Sequence, residues 1–141
     1  MWPFTRKRKG REGRPRRDWP WTLHVGEELW PNFDTWEMVE PELRELNLED
    51  PDSFLILEQR DPRDAGRYWF IQSAMNPGGD NAGGYSVECG WSTAQGPVLY
   101  DLQVRTVEEV IPWFRSAFQE GAVDLSRFTD VSDDLPANQK K

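Results

Sequence analysis

The chain of 141 residues has a single cysteine, Cys89, and a single histidine, His24, and that scarcity narrows the chemistry from the outset. A lone thiol forms no internal disulfide, so a reducing compartment such as the cytoplasm suits the protein. Zinc sites gather several His or Cys ligands, and nucleophilic triads need a histidine base oriented by a third group. One of each residue in unrelated segments argues against both arrangements, and no cofactor motif stands beside them. Long apolar runs are also missing, since none approaches the ~20 residues of a membrane-spanning helix. The basic N-terminus has no apolar stretch behind it, which predicts no secretory leader. Positive charge is sparse outside that terminus. Residues 1–17 hold eight Arg or Lys and one Glu, a net of +7, so a chain of −8 overall carries −15 on residues 18–141. A body that acidic repels phosphate backbones, and its natural partners are basic surfaces.

What is present reads as one domain with loose ends. Residues 1–18 are expected to be a disordered basic tail, because Gly10, Gly13 and Pro15 interrupt like charges without apolar periodicity. The tail residues Arg6, Lys7, Arg8, Lys9, Arg11, Arg14, Arg16 and Arg17 follow Trp2 and Phe4. Three readings stay open for them: a solvated tail, a contact with an anionic membrane surface, and non-specific nucleic-acid binding. The domain proper is expected over 19–130, and 131–141 as a loose polar tail. Its lead-in, "WPWTLHVGEELWPNF", is aromatic and Pro-punctuated and reads as irregular, with Trp19, Trp21 and Trp30 either capping the core or forming an exposed patch.

"DTWEMVEPELRELNL" predicts a helix, with Asp34 and Glu37 spaced as a capping box, Phe33 and Met38 as a staple, and Pro41 able to kink or delay it. Strand-like runs follow in "SFLILEQ", "RYWFIQSAM", "GYSVECGWST" and "VLYDLQVR", joined by short turn-rich pieces that favour an antiparallel meander. "TVEEVIPWFRSAFQEG" predicts a second helix, capped by Thr106 and Glu109 and stopped at Gly121. The expectation is an α+β fold: a four-stranded antiparallel sheet with an N-terminal and a C-terminal helix packed on one face.

Strand alternation places Tyr85, Val87, Cys89 and Trp91 on one side of the sheet, and Cys89 reads as a small buried hydrophobe. The opposite side is expected to display Glu58, Gln72, Glu88, Asp101 and Gln103. Paired carboxylates on such a face suit glycoside hydrolysis in one reading and an ordinary solvated face in another. A third reading is a docking surface for a cationic partner. "NPGGDNAGG" lacks the Lys-Ser/Thr end of a phosphate loop and leads into a strand, so it reads as a hairpin connection with Asp80 and Asn81 at its tip.

"RYWFIQSAM", "GGYSVECGWSTAQGPVLYDLQV" and "VEEVIPWFRSAFQEG" together resemble small bacterial proteins of the polymorphic-toxin immunity type. The resemblance spans residues 54–121 and is carried by Gln72, Tyr85, Val87, Glu88, Tyr100, Phe114 and Gly121. Such families often place a Trp after the last helix, where this chain has Phe128, and the basic head lies outside the pattern. The resemblance implies a non-catalytic protein that neutralises a cognate toxin by tight binding. Among candidate contact residues, Asp80, Asn81, Glu88, Asp101 and Glu58 would offer acceptors and negative potential to a basic, toxin-like partner. The alternative is a chaperone-like or adaptor domain docking on an anionic membrane or nucleic acid through its tail. The corresponding location is the cytoplasm, with a peripheral position at the inner membrane face left open by the tail.

Overall fold

In the computed structural model, residues 13–138 are described. The backbone forms a seven-stranded sheet in which every neighbouring pair is antiparallel. The strands are β1 (Trp21–Val25), β2 (Glu28–Pro31), β3 (Leu55–Asp61), β4 (Asp64–Met75), β5 (Tyr85–Thr93), β6 (Gly96–Val104) and β7 (Thr129–Asp130). Their spatial order is β2-β1-β3-β4-β5-β6-β7. Two α-helices complete the fold, α1 (Val39–Arg44) and α2 (Val107–Arg115).

The expected four-stranded sheet is therefore corrected to seven strands. The four runs expected as strands are β3 to β6, and the additions are three short strands, β1 inside the sheet and β2 and β7 at its edges. The lead-in read as irregular is the β1–β2 hairpin. Its prolines misled the reading because proline is tolerated at the ends of edge strands, where no neighbour needs its N–H. Pro20 precedes β1 and Pro31 ends β2, an edge strand exposed along its length. A strand with no buried side shows no alternation, so its pattern carries no signal. β7 pairs with β6 only at Tyr100 and Asp101.

The first helix is also shorter than expected. A single 3₁₀ turn, Trp36–Met38, precedes α1, and neither Asp34 nor Thr35 caps it. Asp34 instead accepts the Thr35 hydroxyl at 3.0 Å, so the anticipated capping box is absent. Pro41 explains the late start. With α1 beginning at Val39, the proline falls in the first turn, where its missing N–H would have had no helical acceptor. At α2 the capping residues do engage: the Glu109 carboxylate accepts from Thr106 N and Oγ1, both at 3.1 Å. The helix continues through one wide π turn, Ser116–Glu120, and stops at Gly121 with φ 66°.

Apolar alternation sets one face of the sheet under both helices. Leu23, Leu55, Leu57, Trp69, Ile71, Val87, Cys89 and Trp91 are buried with Val39 and Leu43 of α1 and Val110, Ile111 and Phe114 of α2. Phe118 closes one end of this core, with ring centroids 5.6 Å from Trp21, 5.7 Å from Phe33 and 6.2 Å from Trp36. Trp19 and Trp21 thus cap the core, whereas Trp30 is 39% exposed on β2. Phe128 packs edge-on against Trp113 at 5.1 Å. Arg44 ties the helices together on the surface, donating to Glu40 of α1 and to Glu108 of α2 at 2.8 Å.

Two buried side chains on this face are polar: Ser73, whose hydroxyl donates to the Ser86 carbonyl at 2.8 Å, and Gln59. Gln59 continues the apolar phase of Leu55 and Leu57 and is only 2% exposed. Its Oε1 accepts from Arg16 N at 2.8 Å, and its Nε2 donates to the carbonyls of Arg16 (2.8 Å) and Trp19 (3.1 Å). The Trp69 indole N–H donates to the Gly13 carbonyl at 3.2 Å. Residues 13–18, expected as part of a disordered tail, are thereby laid along the end of the sheet. Replacing Gln59 by Leu removes three hydrogen bonds to the backbone of Arg16 and Trp19, so the variant should lose about 1–3 kcal/mol in urea unfolding. Tryptic cleavage after Arg16 and Arg17 should accelerate in the same variant.

Candidate functional site

The pleat that buries Leu57, Ile71 and Cys89 turns the intervening side chains to the opposite face. The antiparallel register then aligns them in rows. His24, Ile56, Gln72, Glu88 and Asp101 lie side by side across β1, β3, β4, β5 and β6. A second row runs Thr22, Glu58, Phe70, Gly90 and Leu99. Apart from Gly90, these residues are all half-buried, and the helices lie on the other side. Gly90 is buried because the Phe70 ring lies on it: a Cβ there would stand 2.6 Å from Phe70 Cζ and 2.9 Å from the Val98 carbonyl. Tyr68 stacks beside Phe70 at 6.1 Å, giving this face an aromatic centre.

The carboxylates of the face differ sharply in their surroundings. Glu58 is compensated. Its Oε1 lies 2.9 Å from His24 Nε2 and its Oε2 lies 2.7 Å from Arg60 Nη2, with only 17% of the side chain exposed. Glu88 and Asp101 are directly opposite each other on β5 and β6, and neither has an ionic partner among the described residues. Both are oriented by amides. Gln72 Nε2 donates to Glu88 Oε1 at 2.6 Å, and Gln103 Nε2 donates to the Asp101 oxygens at 3.2 and 3.1 Å. Like charges directly opposed on a sheet destabilise it modestly, and the glutamine donors offset part of that cost. A shallow depression of about 430 Å³ beside them is lined by Phe54, Ile56, Gln72, Ser86 and Glu88.

The other expected contact residues sit at the end of this face, on the loop between β4 and β5. Asp80 is exposed at the loop tip. Asn81 is engaged within the chain: Nδ2 donates to Gln103 Oε1 (2.9 Å) and the Val104 carbonyl (3.1 Å), and Oδ1 accepts from Arg105 (2.7 Å). Its amide braces the loop against β6. The basic residues Arg6, Lys7, Arg8, Lys9 and Arg11 lie outside the described residues, while Arg14, Arg16 and Arg17 are exposed on the docked segment. Gln59 was not foreseen as more than a strand end. Its signal was a polar side chain in the apolar phase of "SFLILEQ".

Among the described residues no three His, Cys, Asp or Glu side chains converge as a metal site, and no helix is long and apolar enough to cross a membrane. No protein-family model, curated protein or solved structure matches this chain.

Cys89 lies on the buried face, and burial first, with the nearby Glu88 second, pushes its thiol far above the ordinary range. The thiolate is the reactive form, so Cys89 should resist iodoacetamide at pH 8 in the native protein and react readily in denaturant. Gly90→Ala should cost about 1–3 kcal/mol in urea unfolding, because the new methyl group meets the Phe70 ring and a backbone carbonyl. Phe70→Ala should cost less in the Gly90→Ala background than in the parent.

Proposed function

We propose that this protein is a non-catalytic binding protein whose uncovered sheet face receives a cationic protein partner, in the manner of an immunity or inhibitor protein neutralising a basic toxin. The observation that carries the reading is the Glu88–Asp101 pair. Two carboxylates stand opposite each other on neighbouring strands, held in place by glutamine amides and without an ionic partner among the described residues. An Arg or Lys from a partner would relieve their mutual repulsion while making charge-assisted hydrogen bonds. The aromatic centre beside them, Tyr68 and Phe70, supplies the apolar contact that interfaces need at their core. The −15 on residues 18–141 favours encounter with a basic molecule over long range. Glu58, already paired with His24 and Arg60, contributes less than its position suggests. Asn81 acts by bracing the loop that presents Asp80.

The test uses the full chain as bait in lysate of its own cell at low salt, followed by titration of the purified partner. A basic protein should be retained in stoichiometric amount. Glu88→Lys with Asp101→Lys should weaken it about tenfold or more without lowering the unfolding midpoint. Undiminished affinity in that double variant would remove the face from the interaction.

A further inference from the structure

The segment that Gln59 clamps brings cations together in a chain that is otherwise short of them. Arg14 and Arg16 of the docked segment and Arg67 of β4 line one cavity of about 330 Å³, with Trp19, Tyr68 and Ser92 among its walls. The Arg16 and Arg67 guanidinium carbons stand 5.1 and 5.4 Å from the centre of the same Trp19 ring. Arg67 is balanced by Asp61 at 3.0 Å. Arg14 and Arg16 have no carboxylate within ion-pair distance among the described residues, although the body carries a large excess of them. Like charges converging without counter-charges cost energy in the free protein, and they are not there by the wandering of a loose tail. The Arg16 backbone is held at both its N–H and its carbonyl by a buried amide, and Gly13 is held by the Trp69 indole. Ser92 adds a polar group to the wall. Its oxygen accepts from Tyr68 N at 3.0 Å, which leaves the hydroxyl proton free to donate.

We propose that this cavity binds a small molecule bearing a phosphate monoester and a planar group. Two guanidiniums without an ion-pair partner among the described residues match the charge of about −1.5 to −2 that a phosphate monoester carries near pH 7, better than the single charge of a carboxylate. A volume near 330 Å³ falls at the small end of ligand pockets and exceeds what a bare anion fills, so an organic remainder is accommodated. Tyr68 and Trp19 give that remainder aromatic walls. The site lies where β4 begins and β5 ends, whereas Glu88 and Asp101 lie near the middle of β5 and β6, and it does not rest on the reading of that pair.

Calorimetric titration of the full chain with phenyl phosphate tests it. The expected result is one saturable site per chain, with benzoate at least tenfold weaker. Arg14→Gln with Arg16→Gln should weaken phenyl phosphate at least tenfold. The charge-matched Arg105→Gln with Arg127→Gln, neither of which lines the cavity, should stay within twofold. Arg14→Gln alone changes a side chain with no hydrogen-bond or ion-pair partner among the described residues, so it keeps the test valid if the double variant folds poorly; it should cost at least threefold. Absence of saturable binding overturns the proposal. So does equal loss in the two double variants, no loss in the Arg14 and Arg16 variants, or benzoate binding as tightly as phenyl phosphate.

Discussion

The strict alternation of β3, β4 and β5, locked in antiparallel register, is the constraint on which the rest of the molecule depends. With Leu57, Ile71 and Cys89 committed to the helices, Glu58, Gln72 and Glu88 have no choice of face. A slip of one residue in β3 or β5 would turn Glu58 or Glu88 under α1 and α2, at a cost comparable with the stability of an ordinary domain. The same register that fixes the core therefore fixes which charged groups become neighbours. The opposition of Glu88 and Asp101 is a consequence of packing on the other side of the sheet.

Gln59 shows the same constraint turned to a different use. Its phase carries it into the core, where an amide must find partners, and the partners it finds are backbone groups of a segment far away in sequence. An apolar residue there would leave the N-terminal segment without its three hydrogen bonds to Gln59. One buried polar side chain thus joins core formation to the placement of Arg14 and Arg16 over the sheet end. The two ends of the protein's charge distribution, an acidic face and a basic cavity, both trace to residues on β3 to β6 and their contacts.

The strands and helices with one committed apolar face were legible in the sequence. β3 to β5 and α2 bury alternate or helically spaced residues, β6 packs Val98, Tyr100, Leu102 and Val104 against them, and the Thr106–Glu109 cap and the Gly121 stop followed from local chemistry. The other three strands were not legible, because β1 buries only Leu23, β2 buries nothing and β7 is two residues long. The start of α1 was misplaced for a related reason. A capping box competes with other local hydrogen bonds, and Asp34 uses its carboxylate on Thr35.

The sequence by itself determined the composition of each face: periodicity of two assigns every residue of a half-buried strand to core or exterior without reference to its neighbours. It also determined the charge asymmetry between the first seventeen residues and the remainder. Tertiary structure alone decided how those residues meet. That Glu58 meets His24 and Arg60 while Glu88 and Asp101 have no ionic partner among the described residues depends on strand order and register, which are set by packing over long separations in the chain. That three arginines share one cavity depends on a hydrogen bond between residues 16 and 59. Local pattern carries no information about such pairings, because their free energy exists only once the sheet has formed.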